Sequence, residues 1–285
     1  FNYTYFMKKS ISTFLKHPTK DNINRSANPS VTRASTILFN SMQEMYKHEL
    51  RVKKHKKVSY YTYGRYGSTT TIELENILKE LEQAYHVFLT GTGFGGIALA
   101  LMSLCRPGDE ILVSDNVYGP TKEISQQLMK QFQVSAKFYN PDSFEDLKQK
   151  ISKKTKMILV ENPGSNTFEF QDLSKITNLA KRKKIFTLLD NTWGTPLYLK
   201  PLKIGFDMSF CSATKYFSGH SDAMGGSLAV NKKVYSKIMF FYKLSGYRMS
   251  ADEAYLIIRG LRTLDTRLKQ HSENTKAVIS FLKKQ

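Results

Sequence analysis

An α/β fold, built on a mainly parallel seven-stranded sheet with helices on both faces, is predicted by three observations. Short apolar, β-branched runs alternate with longer helical patterns from Val87 onward, which is the pattern of repeated β-α units. These runs are apolar along most of their length, as strands covered on both faces must be. Of the 285 residues, 41% are hydrophobic and 12% aromatic, enough for a large core.

The runs predict strands over 87–90, 110–114, 135–139, 156–160, 185–190, 208–212 and 227–230. A helix over 95–104 stops at Arg106-Pro107-Gly108, a stop signal followed by a turn. Helices over 121–133 and 172–184 carry apolar residues at three-to-four spacing and end in basic residues, which suit the negative end of the helix dipole. Residues 1–60 are polar and basic and predict an N-terminal arm, residues 61–250 the main α/β domain, and residues 251–285 the start of a second, incomplete domain. From Tyr255 the text predicts one long amphipathic helix that stops with the chain.

Composition narrows the function classes. The 43 Lys+Arg against 24 Asp+Glu give a formal charge of +19, a balance that can attract nucleic acid. The lysines are scattered, however, in separate clusters at 47–57, 148–156 and 181–184, with no nucleic-acid motif beside them, so a solvated surface is expected and nucleic acid is not an expected partner. The two cysteines, Cys105 and Cys211, form neither a disulfide framework nor a metal set, and no metal is expected. The longest apolar stretch, 97–105, is far short of the roughly 20 residues that cross a bilayer, so no membrane span is expected. The chain opens on Phe1, Met7 reads as a start, and 10–15 is too polar for a signal segment; the expected location is cytoplasmic.

Four pieces carry chemistry. In Ser212-Ala213-Thr214-Lys215 a strand runs into two hydroxyls and a lysine, at the strand end where α/β sheets bind ligands. The amine of Lys215 can form a Schiff base with an aldehyde cofactor while Ser212 and Thr214 donate to a phosphate; read alone, a lysine after a strand is more often a surface residue. Asp190 places a carboxylate at the end of a buried strand, which demands a cationic partner such as a protonated pyridine nitrogen, or else caps the next turn. Gly91-Thr92-Gly93-Phe94-Gly95-Gly96 joins a strand to a helix N-terminus, a cradle for phosphate that matches neither a P-loop nor a dinucleotide fingerprint. Tyr118, in a loop after the next strand, offers a flat ring to stack on a flat cofactor. Cradle, aromatic platform, carboxylate and lysine together are the set that pyridoxal 5′-phosphate requires. His220 reads as support for the turn after the lysine, Trp193 as packing beside the carboxylate, Cys211 as strand core and Cys105 as a helix end.

These residues resemble the Cys/Met-metabolism pyridoxal-phosphate enzymes of transsulfuration, and most of all the cystathionine β-lyase branch, from about Tyr61 to the end of the chain. Tyr63-Gly64-Arg65-Tyr66-Gly67 is similar to the family's Tyr-x-Arg element; Leu189-Asp190-Asn191-Thr192-Trp193, Ala213-Thr214-Lys215-Tyr216 with Gly219-His220-Ser221-Asp222, and Arg259-Gly260-Leu261-Arg262-Thr263-Leu264 resemble family blocks in the same order. Asp-Asn-Thr-Trp and Gly-His-Ser-Asp-Ala-Met favour the β-lyase branch over γ-synthases and γ-lyases. The resemblance implies that Lys215 carries the cofactor and, with Tyr118, forms the catalytic pair. It also implies that Asp190 pairs with the ring nitrogen and Tyr118 stacks on the ring, while Gly93, Phe94, Ser212 and Thr214 hold the phosphate. Tyr63 and Arg65 would come from a partner chain, in a homo-oligomer built as a dimer of dimers. Where many relatives carry an Asn beside the cofactor, this chain has Ser165.

The implied reaction is β-elimination from L-cystathionine, an amino-acid substrate, in methionine biosynthesis. Lys215 removes the Cα proton, homocysteine leaves, and pyruvate and ammonia follow, with cysteine desulfhydration as a side reaction. The family binds the substrate α-carboxylate with an arginine in its C-terminal domain, and Gln285 is reached before that region, so the chain reads as C-terminally truncated. An inactive remnant of such a lyase and a related γ-synthase or γ-lyase stand as alternatives.

Overall fold

The structure is a computed structural model that describes residues 10–16, 27–54 and 62–285. Met7, proposed as a start, and Lys56 and Lys57 of the first lysine cluster lie outside these residues.

Seven strands form one sheet: β1 (His86–Thr90), β2 (Glu110–Ser114), β3 (Ser135–Tyr139), β4 (Thr155–Glu161), β5 (Phe186–Asp190), β6 (Met208–Ser212) and β7 (Gly226–Val230). Their spatial order is β1-β7-β6-β5-β4-β2-β3. Five strands from β3 to β6 run parallel, and β7 runs antiparallel to both of its neighbours, β1 and β6. All seven predicted strands are present, with ends within one residue of those expected. The helices are α1 (Ile11–Lys16), α2 (Met42–Lys54), α3 (Thr69–Glu82), α4 (Gly93–Leu104), α5 (Gly119–Glu123), α6 (Met129–Gln131) and α7 (Phe144–Lys150). They continue with α8 (Leu173–Lys183), α9 (Thr195–Tyr198), α10 (Pro201–Ile204), α11 (Lys232–Ser245), α12 (Ala251–Leu261) and α13 (Leu264–Leu282). Among the described residues no helix is long and apolar enough to cross a membrane.

Strand alternation divides the core. Phe88, Ile111, Val113, Leu159, Leu188, Phe210 and Leu228 face α4 and α11, where Ile97, Leu101, Val234 and Ile238 meet them. Val87, Leu89, Cys211 and Ala229 face the other way, onto Leu74, Leu78 and Leu81 of α3 and Ala254, Ile257 and Leu261 of α12. Leu112, Ile158, Val160 and Leu189 share that second face further along the sheet, under Leu147 of α7 and Ile176 and Ala180 of α8. Leu15 of α1 is buried in the α3–α12 cluster, so the N-terminal segment joins the core.

Caps explain the helix starts. Ser68 and Thr71 form a reciprocal capping box at α3. Thr92, Asp172, Asn231 and Ser250 cap α4, α8, α11 and α12 with their side-chain oxygens.

Two expected helices are corrected. The stretch 121–133 is not one helix: α5 passes into a π turn over Ile124–Leu128 and then into α6. Ser125 donates its hydroxyl to the Thr121 carbonyl at 2.7 Å and so competes with the regular ladder. The long helix expected from Tyr255 is two, because the Gly260 carbonyl is taken by the Thr263 N–H and hydroxyl, each at 3.1 Å, and by Arg267 at 2.8 Å. At Gly260 a Cβ would stand 2.2 Å from the carbonyl oxygens of Phe217 and Ser218, so only glycine lets α12 sit on that loop.

Gly260→Ala is therefore expected to lower stability by about 1–3 kcal/mol, the cost of overpacking against backbone. Gly119→Ala, whose Cβ meets nothing within 4 Å, is expected to stay within about 0.5 kcal/mol of the wild type. Urea unfolding midpoints of the two variants check this.

Candidate active site

The C-terminal ends of β1, β4, β5 and β6 meet at one edge of the sheet. Because β7 runs antiparallel between β1 and β6, its first residue, Gly226, stands opposite both Thr90 and Ser212. A Cβ on Gly226 would lie 2.6 Å from the Thr90 hydroxyl and 3.0 Å from Gly93 Cα. A Cβ on Gly93 would lie 2.5 Å from the Ser212 hydroxyl. These two glycines bring the start of α4 against the end of β6. The Thr92 hydroxyl accepts the Gly95 N–H at 3.1 Å, while Gly93 and Phe94 occupy the first helical positions, whose N–H groups have no intrahelical acceptor. Two N–H groups and the Ser212 hydroxyl thus converge at a helix N-terminus, a donor set suited to an anion.

From Ser212 the chain enters a tight turn that presents Lys215. The Lys215 N–H donates to the Ser212 carbonyl at 3.1 Å, and the Gly219 N–H to the Lys215 carbonyl at 2.9 Å. The Lys215 side chain is exposed. The Thr214 hydroxyl accepts the Gly225 N–H at 3.1 Å, which ties the turn to the approach to β7. His220 sits with Nδ1 2.7 Å from the Ser218 carbonyl and supports the turn.

Asp190, at the end of β5, is buried. One of its oxygens accepts both the Thr192 N–H at 3.0 Å and the Thr192 hydroxyl at 2.6 Å, so it does cap the following turn. The same Thr192 hydroxyl accepts the Ser212 N–H at 2.9 Å and so joins β5 to β6. Burial pushes the Asp190 carboxyl up to about 6, against the lowering effect of the two Thr192 bonds. A buried carboxyl with its second oxygen uncommitted to a cation is what a protonated ring nitrogen would complete.

Beside it stands a second buried acid. Glu161 ends β4 and is the register partner of Asp190 on the adjacent strand. Burial, and then the charge of Asp190, push Glu161 up to about 7, partly offset by hydrogen bonds from the Ser165 hydroxyl and the Tyr118 N–H. The Tyr118 N–H reaches Glu161 at 2.7 Å. Tyr118 is itself 54% exposed.

The residues Gly93, Phe94, Tyr118, Asp190, Ser212, Thr214 and Lys215 therefore gather at one edge. Tyr63 and Arg65 do not join them within this chain. Tyr63 precedes and Arg65 sits within a short helical turn, Gly64–Tyr66, whose Gly64 N–H donates to the Ser35 carbonyl and whose Arg65 donates to the Lys243 carbonyl at 3.1 Å. Trp193 lies edge-on to Phe168, 5.1 Å between ring centres. Cys211 is buried in β6 and Cys105 at the end of α4, and burial raises both thiols, Cys105 to about 12. Among the described residues no three His, Cys, Asp or Glu side chains are grouped to hold a metal.

Glu161 and Thr192 received no role in the sequence analysis. Glu161 carries the same signal as Asp190, a carboxylate closing an apolar strand, but its pairing with Asp190 depends on strand register. The hydroxyl bridge of Thr192 depends on β6 lying next to β5.

The family model for Cys/Met metabolism PLP-dependent enzymes matches residues 12–285. A relative from Rhizobium johnstonii is 35% identical over 255 residues, covering 90% of this chain and 62% of its own length. The cystathionine β-lyase of Bordetella avium is 34% identical over 281 residues, covering 96% of this chain and 70% of its own. The chain thus spans 62% and 70% of these two curated relatives. Among solved structures, a cystathionine γ-synthase from Xanthomonas oryzae, in complex with aminoacrylate and cysteine, superposes with a TM-score of 0.88 at 28% identity, over 97% of this chain and 69% of that one.

Both carboxyls hold protons more tightly in the folded chain than the ordinary value near 4 of an unfolded carboxyl. Their stabilising contribution is complete below about pH 4 and is lost as pH rises through about 6 for Asp190 and about 7 for Glu161. Between about pH 5 and pH 7.5 the wild type is expected to lose on the order of 2 kcal/mol more stability than Glu161→Gln, as read from urea melts without added cofactor. Thr192→Val removes the bridge and is expected to cost about 1–3 kcal/mol in the same assay.

Proposed function

The chain belongs to the Cys/Met-metabolism enzymes that depend on pyridoxal phosphate, and on that premise we propose that it cleaves the Cβ–S bond of L-cystathionine at the edge formed by β1, β4, β5 and β6. The observation that carries the site is the unbroken run of contacts from Tyr118 through Glu161, Asp190, Thr192 and Ser212 to Gly93, with Lys215 in the turn that follows.

The residues fit the cofactor part by part. The Gly93 and Phe94 N–H groups with the Ser212 and Thr214 hydroxyls would hold the phosphate, Asp190 the ring nitrogen, Tyr118 one ring face and Lys215 the aldehyde carbon. The cradle fits for a steric reason, since a side chain on Gly93 would occupy the space in front of the Ser212 hydroxyl. Tyr63 and Arg65, whose own-chain contacts lie elsewhere, with Arg65 on the Lys243 carbonyl, would complete the phosphate site of a second copy in a homo-oligomer. Bound there, pyridoxal phosphate supplies an electron sink for the charge left when the substrate Cα loses its proton.

The protein's own share of the reaction follows from position. The Lys215 amine takes the proton from Cα, and as an ammonium can return it to the departing sulfur. The Asp190 carboxylate keeps the ring nitrogen protonated, and the Thr192 bonds hold it in the ionised form and in place. Homocysteine leaves first, and addition of water to the three-carbon remainder gives pyruvate and ammonia. Relatives named cystathionine β-lyase at 31–34% identity, together with the Asp190-Asn191-Thr192-Trp193 sequence, support the β-lyase reading. The likeness to a γ-synthase favours a second reading, chemistry at Cγ on the same scaffold.

Two measurements separate these. The purified chain with pyridoxal phosphate is expected to absorb near roughly 420 nm, and Lys215→Ala to lose the band. With L-cystathionine, β-cleavage yields pyruvate and homocysteine, whereas γ-cleavage yields 2-oxobutyrate and cysteine. Absence of the band in the wild type would leave the chain as a relative without the cofactor chemistry, and 2-oxobutyrate as the keto acid would establish the second reading.

A further inference from the structure

We propose that Glu161 is a positioning residue that fixes the Tyr118 ring over the site by binding the Tyr118 backbone N–H from the strand next to Asp190. This rests on the reading that Tyr118 covers the face of a bound ring.

Three cross-links dock the loop after β2 onto the segment after β4. The Ser165 N–H donates to the Asn116 carbonyl at 2.8 Å. The Asn116 amide donates to Glu169 at 3.3 Å. The Tyr118 N–H donates to Glu161 at 2.7 Å, the shortest of the three and the one made by the residue that carries the ring. Close packing holds the same junction, since a Cβ on Gly164 would stand 2.1 Å from the Asn116 amide nitrogen.

Glu161 is suited to more than anchoring. As register partners on adjacent parallel strands, Glu161 and Asp190 leave the sheet on the same face. The anchor of the aromatic platform and the carboxylate for the ring nitrogen are thus set by one pair of strand ends. A shift of β4 against β5 would move both contacts together. The other Glu161 oxygen accepts the Ser165 hydroxyl, so both are committed and the carboxyl has little freedom to rotate away from Tyr118. Glu161 is buried, and a donor that loses its acceptor in such a place costs free energy, so the bond constrains the Tyr118 backbone. Of the charged groups on the elements packed here, Asp190 faces Glu161, Asp115 pairs with Lys122, and Glu169 binds Asn116 and Thr167.

Amide hydrogen exchange of the chain without cofactor tests the anchor directly. Glu161→Ala is expected to speed exchange at the Tyr118 amide about tenfold, the effect of losing one hydrogen bond. Glu161→Gln, which keeps an acceptor oxygen, is expected to stay within about twofold of wild type. With pyridoxal phosphate added, the visible circular dichroism of the bound cofactor is expected to weaken in the alanine variant and return in the glutamine one. Tyr118 exchange in a folded Glu161→Ala within about twofold of wild type overturns the proposal, as does a glutamine variant as fast as the alanine one. If Glu161→Ala fails to fold, Ser165→Ala decides: severalfold faster exchange at Tyr118 with Val113 unchanged supports the anchor, and no change at Tyr118 overturns it. The exchange measurements need no cofactor, so they stand apart from any failure of the wild type to bind it.

Discussion

A residue without a side chain, Gly226, sets how closely three segments approach. It lies opposite Thr90 on β1 and Ser212 on β6, and its missing Cβ leaves room for the Thr90 hydroxyl and the backbone of Gly93. With β7 reversed between them, the ends of β1 and β6 point the same way and lie one strand apart. The helix that begins at Gly93 therefore directs its free N–H groups at the hydroxyl of Ser212, three residues before Lys215. The helix N-terminus and Lys215 become neighbours although they are more than a hundred residues apart in the chain. A side chain at either glycine would separate them.

The second organising element is electrostatic. Two carboxyls buried side by side at the ends of β4 and β5 repel one another, and burial penalises ionising either. Donors sort them. Asp190 receives both its bonds from Thr192 on one oxygen, leaving the other side of the group to face the site, whereas Glu161 spends both oxygens on Ser165 and Tyr118. One acid is left available for a cation and the other is absorbed into the scaffold. A cationic ring nitrogen bound at Asp190 would relieve the repulsion between the two carboxylates.

What the sequence disclosed, and what it withheld, divides along physical lines. The seven strands were legible because a strand covered on both faces must be apolar nearly throughout, and runs such as Ile111-Leu112-Val113 and Leu188-Leu189 say so locally. The reversal of β7 was not, since Leu228-Ala229-Val230 records burial and carries no sign of direction. A helix start was legible at Asp172, where the expected helix begins on its cap, but not at Thr92, where α4 starts two residues before the expected position. Helix ends were not legible where a carbonyl was captured from a distance, as Arg267 captures Gly260. Lys215, Asp190 and the glycine turn showed themselves because each breaks a local rule for its element. Thr192 breaks no such rule, and Glu161, which closes its strand as Asp190 does, owes its role to a register partner; the importance of both lies in a neighbour on another strand, and strand order is a property of the fold.

The Arg267 clamp bears on the order in which the molecule is made. Arg267 donates to the Tyr216 carbonyl at 2.8 Å across 51 residues, and its guanidinium packs where a Gly219 side chain would be. The backbone–backbone bonds of this turn, among Ser212, Ala213, Lys215 and Gly225 and their neighbours, are local. On a ribosome the turn bearing Lys215 emerges well before α13, whose Arg267 braces it. The outer side of that turn stays open to water while residues 217–266 are being added. Completion of the lysine's surroundings is accordingly a late event of translation, and a nascent chain halted before residue 267 would possess the nucleophile without the buttress that shapes its loop.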